Sequence, residues 1–84
     1  MTGKMHYNIN ISGRVQGVGF RWSAAAEARK LGITGFVKNL SNGNVYIEAE
    51  GSTEQLNAFI SWCKKGPPFG FVESVDLESL PLVN

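Results

Sequence analysis

The sequence predicts an α+β fold in which two βαβ units share one sheet, in the element order βαββαβ. Three observations lead to this prediction. Segments of alternating apolar and polar residues, typical of half-buried strands, flank two segments of helical character. The two middle strands are separated by Ser41-Asn42-Gly43, a clear short hairpin signal. We therefore expect a four- to five-stranded antiparallel sheet that carries both helices on one face.

The first half of the chain contains a strand, a helix and a second strand. Apolar side chains alternate with polar ones through residues 7–11, and this strand is expected to end at Ser12-Gly13. High helix propensity extends from Phe20 to Leu31, and Gly32 suits the C-terminal end of that helix. A second strand is expected from about residue 33 to residue 40.

The second half contains a strand, a capped helix and a final strand. The third strand alternates outward residues with three inward ones: Val45, Ile47 and Ala49. Ser52 and Gln55 form a capping box at the start of the second helix. The buried stripe of this helix is expected to consist of Leu56, Phe59, Ile60 and Cys63. The helix stops at Gly66-Pro67-Pro68, and the last strand is expected over Phe71–Leu80.

Length and composition restrict the class of protein. With 84 residues, the chain is expected to form one domain over residues 1–84. Its net charge of +1 is too small to indicate a nucleic-acid or membrane surface. The single cysteine excludes an intramolecular disulfide and a zinc site of paired cysteines. No apolar run approaches a membrane span and the N-terminus lacks a signal region, so we expect a cytoplasmic protein. A small monomer is the default expectation for its oligomeric state.

The connection between the first strand and the first helix is the most informative segment. It reads Gly13-Arg14-Val15-Gln16-Gly17-Val18-Gly19-Phe20-Arg21 and contains no Ser, Thr, Asp or Asn that would cap the helix. Arg21 falls in the first helical turn, where the helix dipole disfavours a cation. A bound anion would relieve both the uncapped amides and the misplaced cation. The residues alone leave two interpretations open, a phosphate-binding loop and a flexible glycine-rich connection.

Asn39 is expected at the same edge of the sheet as this loop. In the predicted topology the first two strands run parallel with one strand between them, so their C-terminal ends lie at one edge. The loop leaves the first strand there, and Asn39 lies at the end of the second. Taken alone, Asn39 is also explained as a turn residue, and Arg21 as a solvated helix residue.

Other chemistry-bearing residues have simpler explanations. His6 is expected to face solvent from the polar side of the first strand. Cys63 is expected to be a buried structural thiol. Ser12 and Ser23 lack a nearby histidine and carboxylate that would activate them. No cluster of carboxylates indicates a metal site.

Three segments resemble the sequence signatures of the acylphosphatase family. The connection from Gly13 to Arg21 resembles the first signature essentially in full. Gly35-Phe36-Val37-Lys38-Asn39, followed by Gly43, is similar to the second, with Phe36 where Trp or Tyr is more common. Gly66-Pro67-Pro68, with Val72 and Val75, is similar to the third. The family has a ferredoxin-like fold, which agrees with the βαββαβ order.

The resemblance implies hydrolysis of the carboxyl–phosphate anhydride of acyl phosphates to carboxylate and inorganic phosphate, without metal or cofactor. It also implies that Arg21 binds the phosphoryl oxygens together with backbone N–H groups of five preceding residues: Gln16, Gly17, Val18, Gly19 and Phe20. Asn39 would orient the attacking water. The implied partner is a small acyl phosphate, and the low net charge predicts neither a nucleic-acid nor a membrane partner.

The C-terminal residues depart from the family. Its members usually continue to a last strand of Phe-x-Ile-Arg type, whereas this chain reads Pro81-Leu82-Val83-Asn84. We therefore expect an edge strand to be missing or replaced.

Other functions remain open at the level of sequence. An RNA-binding module of the same fold would stack bases on Tyr7, Phe36 and Tyr46. A non-catalytic anion-binding module would keep the glycine-rich loop without turnover. A domain from a larger carbamoyl-phosphate-handling protein would carry the same residues, although the N-terminal start favours a free-standing enzyme.

Overall fold

A computed structural model describes residues 4–80 and contains the six predicted elements in the predicted order. These are β1 (Lys4–Arg14), α1 (Phe20–Leu31), β2 (Thr34–Asn39), β3 (Val45–Ser52), α2 (Thr53–Lys65) and β4 (Phe71–Leu80). The strands form a single sheet in the order β2-β3-β1-β4, and every neighbouring pair is antiparallel. The predicted ferredoxin-like α+β fold is confirmed, with four strands in the described residues. The C-terminal departure noted at 81–84 lies outside them.

Both helices cover the same face of the sheet. The inward residues predicted for β3 are all buried, as are Ile9 and Ile11 of β1. They form one apolar cluster with Phe20 and Ala24 of α1 and with the predicted stripe of α2. In the part of the chain that the structure describes, no helix packs on the opposite face of the sheet. Among residues 4–80, no helix has the length and apolar character needed to cross a membrane.

The first strand is longer than predicted. The sequence predicted its end at Ser12-Gly13, but β1 continues to Arg14, which pairs with Phe71 beyond a β-bulge. Gly13 adopts a φ of 123° at this bulge, and a Cβ there would overlap the carbonyl oxygen of Phe71. The prediction was wrong because glycine was interpreted as a strand terminator, whereas here it permits close backbone approach between paired strands.

The two helices begin in different ways. At α2, the Ser52 hydroxyl accepts a hydrogen bond from the Gln55 N–H at 3.1 Å, and the Gln55 side chain accepts one from the Ser52 N–H at 2.8 Å. This confirms the predicted capping box. Helix α1 begins after Gly19, which has a φ of 79° and no side-chain cap. The prediction of an uncapped first helix is therefore also confirmed.

Candidate active site

Strand pairing places Asn39 beside the start of α1. Strands β1 and β2 are both antiparallel to β3, so they run parallel to each other and end at the same edge. Asn39 is the last residue of β2 and pairs with Val45, which is fully buried on the helix-covered face. Because directly opposite residues of an antiparallel pair share a face, Asn39 stands on the side of the sheet that carries α1.

The loop that leaves β1 is anchored at both ends and exposed in the middle. Val15 and Phe20 are each 1% exposed and belong to the core. Between them, Gly17 and Gly19 are exposed and have φ values of 76° and 79°. A Cβ at either glycine would meet nothing within 4 Å, so left-handed backbone conformation, and not space, favours glycine at both positions.

The first backbone N–H groups of α1 have no hydrogen-bond partner within the helix. Counting from the start of the helix, the first backbone N–H group that donates to a carbonyl is that of Ser23, which donates to the Gly19 oxygen at 2.9 Å. The N–H groups of Phe20, Arg21 and Trp22 precede it and have no carbonyl one turn back within the helix. The first turn holds no acidic residue. This helix end therefore combines free donors with the positive end of the helix dipole.

These elements enclose a cavity of about 230 Å³. Its lining comes from the loop, the first turn of α1 and the end of β2: Val15, Gly17, Gly19, Phe20, Arg21, Trp22 and Asn39. The structure thus brings Arg21 and Asn39 together, along with three of the five predicted loop residues.

Two predicted loop residues lie outside that lining. Val18 packs against the core, and the Gln16 side chain points to the hairpin that follows Asn39. Conversely, Val15 and Trp22 line the cavity but were not predicted as site residues. Trp22 was identifiable from sequence, because the third residue of an uncapped helix still carries a free amide.

Arg21 is available to an anion. Its side chain is exposed, and the ion pairs found within residues 4–80 all involve His6, with Glu48 and Glu50 as partners. The Asn39 side chain is also exposed and has no hydrogen-bond partner within the same residues. The residues that carry a guanidinium, free amides and an unengaged carboxamide therefore line one small cavity, an arrangement suited to holding a phosphoryl group next to a water molecule.

His6 lies on the face of the sheet opposite the helices. The sequence predicted that it simply faces solvent, but its side chain contacts two glutamates. Its Nε2 atom is 3.1 Å from an oxygen of Glu48 and its Nδ1 atom is 3.5 Å from an oxygen of Glu50. The strand register explains this, because Glu50 pairs directly with His6 and Glu48 lies two residues along β3. The only histidine of the chain is therefore on the far side of the sheet from the cavity.

The remaining candidates have structural roles. Cys63 is fully buried, and burial, with a smaller contribution from Glu27, raises the pKa of its thiol to about 12. The Ser12 hydroxyl pairs with that of Ser74 at 2.6 Å. Over the described range 4–80, no group of three or more histidine, cysteine, aspartate or glutamate side chains is arranged to hold a metal ion.

The uncovered face of the sheet is predominantly acidic. Tyr46 and Phe36 lie there with the Lys38 ammonium 5.6 Å and 5.9 Å from their ring centroids. Strand register places four carboxylates on this face as well: Glu48, Glu50, Asp76 and Glu78. Tyr7 pairs with the inward Ala49, so the suggestion that it could stack bases on the open face was wrong.

The sequence matches the family described as Acylphosphatase over residues 7–84. An acylphosphatase from Thermococcus kodakarensis is 47% identical over 75 residues, covering 89% of this chain and 82% of that protein. The crystal structure of acylphosphatase from Bacillus subtilis superposes with a TM-score of 0.91 at 39% identity. It covers 94% of this chain and 88% of that one.

A third likeness is to part of a much longer protein. The crystal structure of full-length HypF in the phosphate- and nucleotide-bound form matches with a TM-score of 0.89 at 32% identity. The match covers 98% of this chain but 11% of that chain. The relatives that match along most of their own length are acylphosphatases. Together with the family match over residues 7–84, they show that this chain belongs to the acylphosphatase family.

Proposed function

We propose that the cavity between the glycine-rich loop and Asn39 is where this member of the acylphosphatase family hydrolyses acyl phosphates. The observation that supports this most strongly is the convergence of Arg21, the free amides of α1 and Asn39 on one cavity of about 230 Å³. These groups come from two different parts of the fold, the first turn of α1 and the end of β2, and their meeting requires the strand order that places β3 between β1 and β2.

In this proposal the phosphoryl group binds to the loop side of the cavity. The planar guanidinium of Arg21 donates two parallel hydrogen bonds to phosphoryl oxygens, a geometry that lysine cannot reproduce. Backbone N–H groups from Gln16 to Phe20 bind the remaining oxygens, and those of Arg21 and Trp22 add to them because α1 leaves them free. Positive charge from Arg21 and the helix dipole stabilises the negative charge of the transition state.

Water attacks from the side of Asn39. The Asn39 side-chain oxygen accepts a hydrogen bond from the water and holds the water oxygen in line with the bond to be broken. The water oxygen forms a new bond to phosphorus as the phosphorus–oxygen bond to the acyl group breaks, and the carboxylate leaves with the bonding electrons. Because a carboxylate is a good leaving group and the transition state is loose, positioning and charge stabilisation are the main requirements.

The proton of the attacking water passes to an oxygen of the phosphoryl group itself. This step needs no side-chain base, and the location of His6 on the uncovered face is consistent with it. Arg21 and the free amides supply the positive charge that a metal ion supplies in many other phosphoryl-transfer sites. We therefore propose that the reaction uses neither metal nor cofactor.

We also propose that the chain acts as a single-domain cytoplasmic monomer on a small molecule, without a nucleic-acid partner. The four carboxylates on the uncovered face support the last point, because they repel a phosphate backbone. A module that binds phosphate without turnover is the alternative function. Asn39 at the cavity favours hydrolysis, since phosphate binding alone does not require a group that orients water.

The proposal is tested by measuring phosphate release from benzoyl phosphate and acetyl phosphate in the presence of EDTA. We expect rapid turnover by the wild type and by Arg29→Gln, an exposed arginine in the last turn of the same helix. Arg21→Gln is expected to lose turnover while keeping the wild-type circular dichroism spectrum. A folded wild type without turnover, or an Arg21→Gln variant as active as Arg29→Gln, would contradict the proposal.

A further inference from the structure

The side chain of Gln16 joins the glycine-rich loop to the turn between β2 and β3. Its Nε2 atom donates hydrogen bonds to the carbonyl oxygens of Leu40 at 2.7 Å and of Asn44 at 2.8 Å. These two carbonyls flank the turn that begins immediately after Asn39. Both hydrogens of one carboxamide are thus used to hold together two segments far apart in sequence.

The turn that Gln16 binds is internally closed. The Leu40 N–H donates to the Asn44 oxygen at 2.8 Å, and the Gly43 N–H donates to the Leu40 oxygen at 3.2 Å. The Asn44 side chain donates to Oδ1 of Asn10 on β1 at 3.0 Å. The turn is therefore fixed both to itself and to the sheet, so the Gln16 contacts attach the loop to a rigid part of the molecule.

We propose that Gln16 is a positioning residue, whose side chain fixes the loop that holds the phosphoryl group relative to the Asn39 carboxamide that holds the water. This inference rests on the proposed function. In-line attack depends on the alignment of three atoms, and a displacement of about 1 Å can reduce a rate by about 100-fold. The Gln16 side chain is outside the cavity lining, so it acts through the groups that line the cavity.

The structure indicates that this contact can be removed without unfolding the protein. The Leu40 oxygen still accepts the Gly43 N–H when the Gln16 donors are lost, and the Asn44 oxygen still accepts the Leu40 N–H. Neither carbonyl is left without a partner, which avoids the large penalty of an unsatisfied buried group. Gln16→Met, which keeps a similar length without donors, is therefore the suitable variant.

Loss of the Gln16 contacts is expected to lower kcat while leaving the affinity for inorganic phosphate nearly unchanged. We expect Gln16→Met to lower kcat by about 10- to 100-fold. The inhibition constant of inorganic phosphate is expected to change by less than about threefold, because Arg21 and the loop amides move as one group. The matched control is Gln55→Met, which removes the capping-box glutamine of α2 far from the cavity. That variant is expected to lower the melting temperature with kcat unchanged.

A double-mutant cycle with Asn39→Ala separates positioning from general destabilisation. If Gln16 acts by aligning the loop with Asn39, the kcat loss from Gln16→Met is expected to disappear when Asn39 is already alanine. An equal loss in both backgrounds, an unchanged kcat in the single variant, or a phosphate affinity that falls in step with kcat would overturn the inference.

The two proposals fail in different ways. If Arg21→Gln and Asn39→Ala both keep the wild-type kcat, the proposed catalytic site is wrong and the inference about Gln16 falls with it. If those two variants lose activity while Gln16→Met keeps it, the catalytic site stands and only the role of Gln16 is overturned.

Discussion

Arg21 and Asn39 line the same cavity although one belongs to the first turn of a helix and the other to the end of an edge strand. Their meeting depends on β3, which lies between β1 and β2 and makes these two strands parallel. Arg21 follows the loop that leaves β1, and Asn39 ends β2 at the same edge. One small cavity is therefore lined by a residue with a charged side chain and by a residue with a neutral hydrogen-bonding side chain.

Replacing Arg21 by lysine is expected to abolish most of the activity even though the charge is kept. Lysine lacks the planar fork that binds two phosphoryl oxygens at once, so transition-state stabilisation is lost. We expect kcat/KM for benzoyl phosphate to fall by about 10³- to 10⁵-fold, the range known for arginines that act in phosphoryl transfer. Steady-state kinetics of the folded Arg21→Lys variant measure this, and activity within tenfold of the wild type would exclude the bidentate role.

Replacing Asn39 by alanine is expected to affect the rate more than binding. Loss of one preorganised polar contact lowers kcat by about 10²- to 10³-fold. The inhibition constant of phosphate is expected to stay near the wild-type value, because Arg21 and the loop are intact. Asn57→Ala, an exposed position on α2, is the control. If Asn39→Ala weakened phosphate binding without lowering kcat, Asn39 would be a binding residue and not the group that orients water.

The rate is expected to be nearly independent of pH around neutrality. The only histidine, His6, lies on the uncovered face of the sheet with Glu48 and Glu50, away from the cavity. We expect kcat to vary by less than about threefold between about pH 6 and 8, where histidines titrate. A pH–rate profile of the wild type and of His6→Gln tests this. An inflection in that range that vanished in His6→Gln would contradict proton transfer to the substrate.

Alanine at Gly13 is expected to destabilise the fold far more than alanine at Gly17. Both glycines have positive φ, but only at Gly13 would a Cβ run into the backbone of the paired strand. We expect the free energy of unfolding to fall by about 3 kcal/mol or more for Gly13→Ala and by about 1–2 kcal/mol for Gly17→Ala. Urea unfolding measures both, and equal losses would contradict the close approach at the bulge.

The stability of the protein is expected to fall in alkali partly because of Cys63. Burial raises the pKa of its thiol from 9.0 to about 12, so the folded state holds this proton to higher pH than the unfolded state does. The contribution of the protonated Cys63 thiol to the stability of the folded state is therefore complete below about pH 9. It is lost progressively as pH rises towards 12. Unfolding free energies of the wild type and of Cys63→Ala measure this between pH 8 and 11. An identical pH slope in the two proteins would contradict it.

Most of the fold follows from local sequence signals. Interactions between residues close in sequence determine three of these features: the apolar stripe of α2, its capping box and the alternation in β3. The absence of a cap at α1 was visible in the same way, and it suggested a phosphate-binding loop as one of two interpretations. Local patterns predicted these features because no partner segment is needed to define them.

Apart from Trp22, whose free amide could be inferred from the uncapped helix, three features that were missed depend on contacts between distant segments. The extension of β1 to Arg14 requires the backbone of Phe71, and the environment of His6 requires the register of β3. The two hydrogen bonds of the Gln16 side chain depend on the position of a turn that follows a different strand. No sequence pattern within the loop distinguishes this glutamine from a solvated one.

The proposed phosphate site at the start of α1 is tested most directly by titration of inorganic phosphate into ¹⁵N-labelled protein. We expect chemical-shift changes at the backbone amides of Gly17, Gly19, Arg21 and Trp22 and at the Asn39 side chain. The same titration of Arg21→Gln is expected to give none of these changes. Changes concentrated on the uncovered face around Glu48, or no response of the wild type at saturating phosphate, would contradict a site at the start of α1.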